Sequence, residues 1–216
     1  MIESIKLFFA ESAVMLTLSA VISYLCGCIN GAILISKSLM KEDVRTRGSG
    51  NAGLTNFYRN YGPRYAALVL ALDALKMVAA IVITCVFINW EPEARLWGAL
   101  FCVLGHIFPV TYKFKGGKGV LSGAALLCML DWRVALLSLG AFVLLVALTR
   151  YVSLGSVVAA ALAPITFAVF FPGHWFGLLL IGVTALLLIW SHRSNIVRLL
   201  TGKESKFSFR RQDGSK

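Results

Sequence analysis

The sequence predicts an all-α membrane protein with seven transmembrane helices, its N-terminus outside and its C-terminus cytoplasmic. Three observations predict it. Hydrophobic residues fill 58% of the 216 positions and charged residues only 14%, against about 25% charged in a water-soluble domain. Mean hydropathy is +0.80. Finally, apolar runs close to the ~20 residues that cross hydrocarbon are separated by loops whose basic content alternates.

The N-terminus lacks the basic region and small-residue cleavage site of a secretory signal, so the first apolar run is expected to stay. That run, 12–39, carries Gly27 and Gly31 at i, i+4, a smooth face for close helix approach. Residues 40–63 are polar and glycine-rich, a loop with a short helix near 54–61. The second span, 65–90, contains Asp73 and Lys76, three apart on one face. Ionisable groups at that depth usually face protein, and two roles stand open: a neutral pair joining helices, or part of a substrate path. A short acidic connection with Glu91, Pro92 and Glu93 leads to the third span, 95–112. A basic glycine loop follows, then a short fourth span, 119–130, and a turn at Asp131-Trp132-Arg133. The fifth span is 134–149, the sixth 152–171 with Pro164 as a kink, and the seventh 175–191 after Pro172-Gly173. The whole chain, 1–216, reads as one integral membrane domain ending in a polar basic tail, 205–216.

Charge fixes the expected orientation. Residues 37–64, 113–118, Arg150 and everything from His192 onward carry 17 of the 21 Lys and Arg residues, with Glu42, Asp43, Glu204 and Asp213. The opposite side carries Lys6, Arg95 and Arg133 against Glu3, Glu11, Glu91, Glu93 and Asp131. Lys and Arg mark cytoplasmic loops, so the net charge of +11 is a topology signal. No basic stretch is interleaved with aromatics in a soluble module, which argues against nucleic acid as a partner. The five cysteines, Cys26, Cys28, Cys85, Cys102 and Cys128, lie in apolar runs without zinc spacing and read as buried apolar side chains.

Three polar segments, 48–59, 105–119 and 192–204, fall on the cytoplasmic side. In 105–119 the sequence Gly116-Gly117-Lys118-Gly119 frees the backbone to turn N–H groups inward beside an ammonium, a pattern that favours phosphate; a flexible basic loop is the plainer reading. In 192–204 a helix would bring His192, Asn195 and Arg198 to one side, where His192 could act as acid, base or orienter; an interfacial anchor with snorkelling arginines is the alternative. Together the segments supply Ser49, Asn51, Asn56, Arg59, His106, Lys118, His192, Asn195 and Arg198. Cations and amides suit one or two phosphates. Carboxylates are scarce, with only Glu204 beside the motifs, so neither a glycosidase pair nor a carboxylate Mg²⁺ site is supported, and no metal or cofactor is expected. The Walker A spacing is absent, since Gly119 follows the lysine, and nothing resembles a GxSxG elbow.

With these residues assembled, the chain resembles the PlsY-type bacterial acyl-phosphate:glycerol-3-phosphate acyltransferases, seven-span inner-membrane proteins with three cytoplasmic motifs. The first is matched by Ser49-Gly50-Asn51-Ala52-Gly53-Leu54-Thr55-Asn56 and Arg59. The second is matched by Gly105-His106, Pro109 and Phe114-Lys115-Gly116-Gly117-Lys118-Gly119-Val120. The third is matched by His192, Asn195-Ile196, Arg198-Leu199, Gly202 and Glu204. Leu54 and Leu121 stand where the family commonly has alanine, which bears on packing. The resemblance implies transfer of a fatty acyl group from acyl phosphate to the sn-1 hydroxyl of glycerol 3-phosphate, giving lysophosphatidic acid and phosphate at the cytoplasmic face of the inner membrane, with possible coupling to an acyl-phosphate-forming enzyme.

By that resemblance Ser49, Asn51, Asn56, Arg59 and Lys118 hold the glycerol phosphate. Lys115, Gly116, Gly117, Lys118 and Gly119 hold the acyl-phosphate head, and His192, Asn195, Lys118 and Ser49 are catalytic. His106, Arg198 and Glu204 are supporting. An acyl phosphate carries its own leaving group, so direct attack without an acyl-enzyme is expected, with His192 or a substrate phosphate oxygen as base. Two other classes compete. Acyltransferases using acyl-CoA or acyl carrier protein often carry His-x4-Asp, but Thr111, Leu179 and Val197 stand five after His106, His174 and His192. A transporter for a phosphorylated anion would use Asp73 and Lys76 near midplane, yet the polar groups gather on one face.

Overall fold

A computed structural model describes residues 13–208. The expected charges at Glu3, Lys6 and Glu11, the start of the first span at Ser12 and tail positions 209–216 lie outside the described residues. All regular structure within them is helical: α1 (Ala13–Cys28), α2 (Gly31–Leu39), α3 (Leu54–Tyr61), α4 (Pro63–Phe87), α5 (Pro92–Ile107), α6 (Val120–Leu130), α7 (Trp132–Thr149), α8 (Val152–Phe170), α9 (Trp175–Ser191) and α10 (Arg193–Leu200), with 3-10 turns at Val44–Thr46 and Val110–Tyr112.

The first span is not the continuous helix expected over 12–39. It breaks after Cys28, and α2 leaves α1 at 43°. Asn30 causes the restart: its backbone is extended and its side-chain oxygen accepts from the Ile33 N–H, which satisfies one of the donors that a helix start leaves open. Gly27 and Gly31 therefore serve two contacts rather than one face. A Cβ on Gly27 would strike the Cys102 carbonyl and Gly105 of α5, whereas one on Gly31 would crowd Val69 of α4. Gly105 reciprocates, lying against the Tyr24 carbonyl, so α1 and α5 cross at backbone distance.

The third span starts earlier than 95–112 and ends where expected, running Pro92–Tyr112 with its last turn 3-10. Pro92 opens α5 at a first-turn position, where its missing N–H costs nothing, and the α-helix stops at Ile107 ahead of Pro109. α5 is the hub, packed against α1, α4, α6 and α9. Of its membrane window 61% is buried inside the protein, against 17% for α7. Met77, Ile81, Leu96, Val103, Val134, Phe167 and Ile181 form the core around α5. A second apolar cluster of Ile33, Val44, Ala52, Phe57 and Val69 underpins the loops at one end. α7 instead presents Leu136, Val143, Leu144 and Leu148 outward, as a lipid-facing helix must. Cys128 likewise points outward while Cys28, Cys85 and Cys102 are buried and Cys26 partly so; all five are free thiols, which corrects the expectation that every cysteine is buried.

Four helices in the described residues are long and apolar enough to cross a membrane, or six if each bent pair, α1–α2 and α9–α10, is one span. The short span expected over 119–130 is the 11-residue α6, which rises only about 16 Å. α8 runs through Pro164 as one helix. The turn expected at Asp131-Trp132-Arg133 is a helix start instead: Trp132 and Arg133 open α7, and the Asp131 carboxylate accepts from the Arg133 and Val134 N–H groups and caps it.

Candidate functional site

The loops at one end are tied to each other before any ligand arrives. Asp43 accepts from Arg45 Nε and Nη2 at 2.9 and 2.7 Å, and Arg45 Nη1 donates onward to the Tyr112 and Lys115 carbonyls at 3.1 and 3.0 Å. The Arg45 hydrogen bonds hold the Asp43 carboxyl down at about 2 against the opposing effect of burial. Inside the first loop Asn56 does the same work in reverse. Its amide nitrogen donates to the Val44, Arg47 and Asn51 carbonyls and its oxygen accepts from the Ser49 N–H at 3.0 Å. Asn56 thus folds the loop that presents Ser49 and Asn51 against α3, the helix that carries Arg59, and its own hydrogen-bonding capacity is consumed there.

Those loops rim a cavity of about 690 Å³. Its polar end is lined by Ser49, Asn51, Arg59, Lys118, His192, Asn195, Arg198 and Glu204. It then continues between α4, α6, α7, α8 and α9 as a passage walled by Leu127, Phe142, Val146, Ala159, Ile181 and Leu188, among others. A charged end and an apolar run share one space.

At the polar end four side chains form a chain of contacts. Lys118 Nζ donates to Asn195 Oδ1, Asn195 Nδ2 donates to Glu204 Oε1 at 2.7 Å, and Arg198 Nε meets Glu204 Oε2 at 2.8 Å. Ser153 at the start of α8 also donates to Glu204 Oε1, at 2.7 Å. The turn from α9 into α10, bent by 58°, carries Asn195 back over the cavity. Glu204 reaches it because Gly202, at φ +69°, reverses the chain after α10. Burial lowers the Lys118 ammonium to about 8, with the Arg198 charge adding to the shift and Glu204 opposing it. Burial works against ionisation of Glu204, but hydrogen bonds from Ser153, Asn195 and Arg198 outweigh it and hold the carboxyl below its usual range. Lys118, Arg59 and Arg198 against one carboxylate leave the polar end net positive.

His192 caps the end of α9, and its Nδ1 lies 2.8 Å from the Leu188 carbonyl. A carbonyl can only accept, so Nδ1 carries the proton and Nε2 keeps its lone pair. No described residue hydrogen-bonds Nε2, and the ring borders the cavity.

The glycine turn departs from the expected phosphate cradle. The Gly116 and Gly117 N–H groups donate to the Ile107 and His106 carbonyls, both at 3.1 Å, and neither glycine lines the cavity, nor does Lys115, which is exposed. Glycine is required there for packing: a Cβ on Gly116 would collide with the His106 carbonyl, and one on Gly117 with the His106 ring and the Ala52 carbonyl. The turn pins Lys118 and Gly119 at the cavity wall instead. Gly119, at φ +78°, starts α6, so the open N–H groups of that helix's first turn directly follow Lys118 in the chain.

Two members of this constellation were not singled out from sequence. Ser153 reads as one more small residue at the head of a span; its nearness to basic Arg150 is the only signal. The tail after Glu204 crosses the rim, where Arg59 Nη2 lies 3.4 Å from both the Ser205 and Lys206 carbonyls, the Phe207 N–H donates to the Arg150 carbonyl at 2.7 Å, and the Phe207 ring sits 5.8 Å from Tyr58. It reads in sequence only as a polar tail.

Asp73 and Lys76 form a buried ion pair at 2.7 Å. Asp73 Oδ1 accepts from the Gly31 N–H at 3.1 Å, and Lys76 donates to the Ile29 carbonyl at 2.7 Å. The pair satisfies backbone groups exposed by the break between α1 and α2, which is the helix-joining role, and Asp73 also borders the cavity.

The fold and site define an integral membrane protein in which one cavity joins a cationic end to an apolar passage. Residues 17–202 match the family described as Glycerol-3-phosphate acyltransferase. The chain is 40% identical over 190 residues to a glycerol-3-phosphate acyltransferase of Prochlorococcus marinus (strain MIT 9301), covering 86% of this chain and 94% of that protein. It is 40% identical over 189 residues to one from Thermoanaerobacter pseudethanolicus, covering 88% and 94%. It superimposes on the crystal structure of PlsY (YgiH), an integral membrane glycerol 3-phosphate acyltransferase, in the glycerol 3-phosphate form, with a TM-score of 0.81, 36% identity and coverage of 89% and 96%. For the lysophosphatidic acid form the TM-score is 0.79 at 34% identity, with coverage of 90% and 96%. The chain belongs to the glycerol-3-phosphate acyltransferase family, of the PlsY type.

Proposed function

We propose that this protein transfers a fatty acyl group from acyl phosphate to the sn-1 hydroxyl of glycerol 3-phosphate, releasing lysophosphatidic acid and inorganic phosphate. The observation that carries the reading is the single cavity in which Lys118, Arg59 and Arg198 stand at one end of an apolar passage. A fatty tail lies in the passage while its anionic head meets the cations. Two phosphates must approach each other, and fixed cations relieve that repulsion.

Arg59, Lys118 and Ser49 hold the glycerol phosphate, with Asn51 beside them and Asn56 fixing their loop. Lys118 and the start of α6 hold the acyl-phosphate head. The hydroxyl oxygen attacks the acyl carbonyl carbon, the bond from that carbon to the phosphate oxygen breaks, and inorganic phosphate departs with the electron pair. His192 Nε2, or a substrate phosphate oxygen, takes the hydroxyl proton. Asn195 is held by Glu204 and in turn fixes the Lys118 ammonium, so its role is orientation.

The charge map and the helix count support seven spans, with the bent pairs each crossing once and α6 as a short seventh. On this reading the N-terminus is outside and the loops of the site face the cytoplasm at the bacterial inner membrane, where an enzyme forming acyl phosphate can supply the donor. The test is turnover of purified protein with glycerol 3-phosphate and either acyl phosphate or acyl-CoA. Lysophosphatidic acid from acyl phosphate only is expected; formation from acyl-CoA alone would overturn the donor assignment.

A further inference from the structure

Two histidines border the cavity, and their partners on the far side of each ring differ in kind. His192 Nδ1 faces a carbonyl oxygen, whereas His106 Nδ1 lies 2.7 Å from the Lys76 Nζ. Lys76 has three hydrogens. Asp73 Oδ1 at 2.7 Å and the Ile29 carbonyl at 2.7 Å take two of them; the Gly27 carbonyl, at 3.4 Å, is a much longer contact than His106, and the ion pair with the buried carboxylate is that of an ammonium. An ammonium has no lone pair, so the third hydrogen goes to His106 and Nδ1 must be the acceptor. The proton of the neutral ring is then on Nε2. No described residue accepts from His106 Nε2. That atom is not among the fully enclosed side-chain atoms lacking a partner, and the ring lines the cavity beside Gly117 and Gly119.

We propose that Lys76 is a positioning residue that locks His106 in the Nε2–H tautomer, so that His106 is a hydrogen-bond donor to a phosphate oxygen of the acyl donor, while His192 is held in the opposite tautomer as an acceptor. The two rings then divide the chemistry. Nε2 of His192 can only accept, from the attacking hydroxyl or from a protonated phosphate, and Nε2–H of His106 steadies charge on the departing phosphate, with no proton exchanged between them. The buried Asp73–Lys76 pair acquires a function beyond joining helices. The one acceptor that the described residues place near His106 Nδ1, Asp73 Oδ1, stands 3.9 Å away, beyond hydrogen-bond distance, so it does not compete with Lys76 to reverse the tautomer.

The proposal rests on the acyl-phosphate reading only for the identity of the oxygen that His106 meets. Its first test is independent of donor. In histidine-selective ¹⁵N NMR of the intact protein in nanodiscs, with the three histidines assigned by His106→Gln and His174→Gln, His106 is expected to show a protonated Nε2 and a bare Nδ1, and His192 the reverse. A protonated Nδ1 on His106 overturns the proposal.

Its second test is kinetic, with acyl phosphate as donor. His106→Gln, which keeps an N–H at similar reach, is expected to retain kcat within about five-fold, whereas His106→Phe loses about 10²-fold, the usual consequence of removing one preorganised donor. Equal kcat in the two variants, per folded molecule, overturns the donor role. The paired variant Asp73→Leu/Lys76→Met removes both charges together and so leaves neither one buried and unpaired; it is measured per folded molecule, because the Gly31 N–H and the Ile29 carbonyl lose their partners. It is expected to mix the two tautomers of His106 in the NMR spectrum and lower kcat with KM for glycerol 3-phosphate unchanged; an unchanged tautomer overturns the role of Lys76. A failure of the donor assay alongside the expected tautomers would reject acyl phosphate and leave the positioning of His106 standing.

Discussion

Two lysines in this chain have opposite fates, and the difference separates structure from site. Lys76 lies within α4 with every hydrogen taken: a carboxylate, a carbonyl and a ring nitrogen enclose it. Lys118 stands at a cavity wall with one amide oxygen from Asn195 as its partner among the described residues, and burial has already pulled it down to about 8. A cation whose hydrogens are all taken inside the protein organises the protein. One that is desolvated yet incompletely partnered is organised for a ligand, because the cost of desolvation has been met before the anion arrives.

The largest effect should come from breaking the enclosed side of this comparison. Lys76→Met alone leaves Asp73 charged and buried, and is expected to cost about 3–5 kcal/mol of stability. Thermal unfolding in detergent would show it, and a Tm equal to wild type would contradict the buried pair.

On the open side, Glu204→Gln weakens the clamp on Asn195 and Arg198 together. A loss of about ten-fold in kcat/KM is expected, the worth of one charge-assisted hydrogen bond, with little change in Tm; steady-state kinetics beside a melting curve separates the two.

A rise in pH probes Lys118 without mutation. Its lowered pKa means that the ammonium is present below about pH 8 and is lost above it. kcat/KM, which reports the free enzyme, should fall about ten-fold per pH unit beyond that point. Lys118→Arg should shift the fall to higher pH, and a flat profile to pH 10 in wild type would contradict the assignment.

The smallest effect is a control. Ser138 Oγ is buried without a partner among the described residues, so Ser138→Ala should change stability by less than about 1 kcal/mol. A large loss would mean that burial of polarity, rather than charge pairing, distinguishes the two lysines.

How far sequence carried these conclusions depends on the kind of signal. α3 and α9 were read to the residue because glycine, proline and apolar runs bound them sharply. The break at Asn30 was invisible, since the apolar run continues across it and only the capping geometry of one side chain ends the helix. Lys118, Arg59, His192 and Asn195 were legible as charge and amide on one face, and all four do line the cavity. The Gly116–Gly117 cradle was misread for a physical reason: glycine allows both an inward-turned N–H and a close backbone approach, and composition does not tell which is used. Here the N–H groups bind α5. Ser153 and the Lys76–His106 contact were out of reach because they depend on which helices become neighbours, and spans of similar hydropathy carry no such address.

The most direct test of the account is turnover by Lys118→Ala, measured as lysophosphatidic acid formed from acyl phosphate and glycerol 3-phosphate by protein with a wild-type melting curve. The open, desolvated ammonium predicts a loss of at least about 10²-fold in kcat/KM with Tm unchanged. Wild-type turnover in that variant would contradict the placement of the site at the cavity wall.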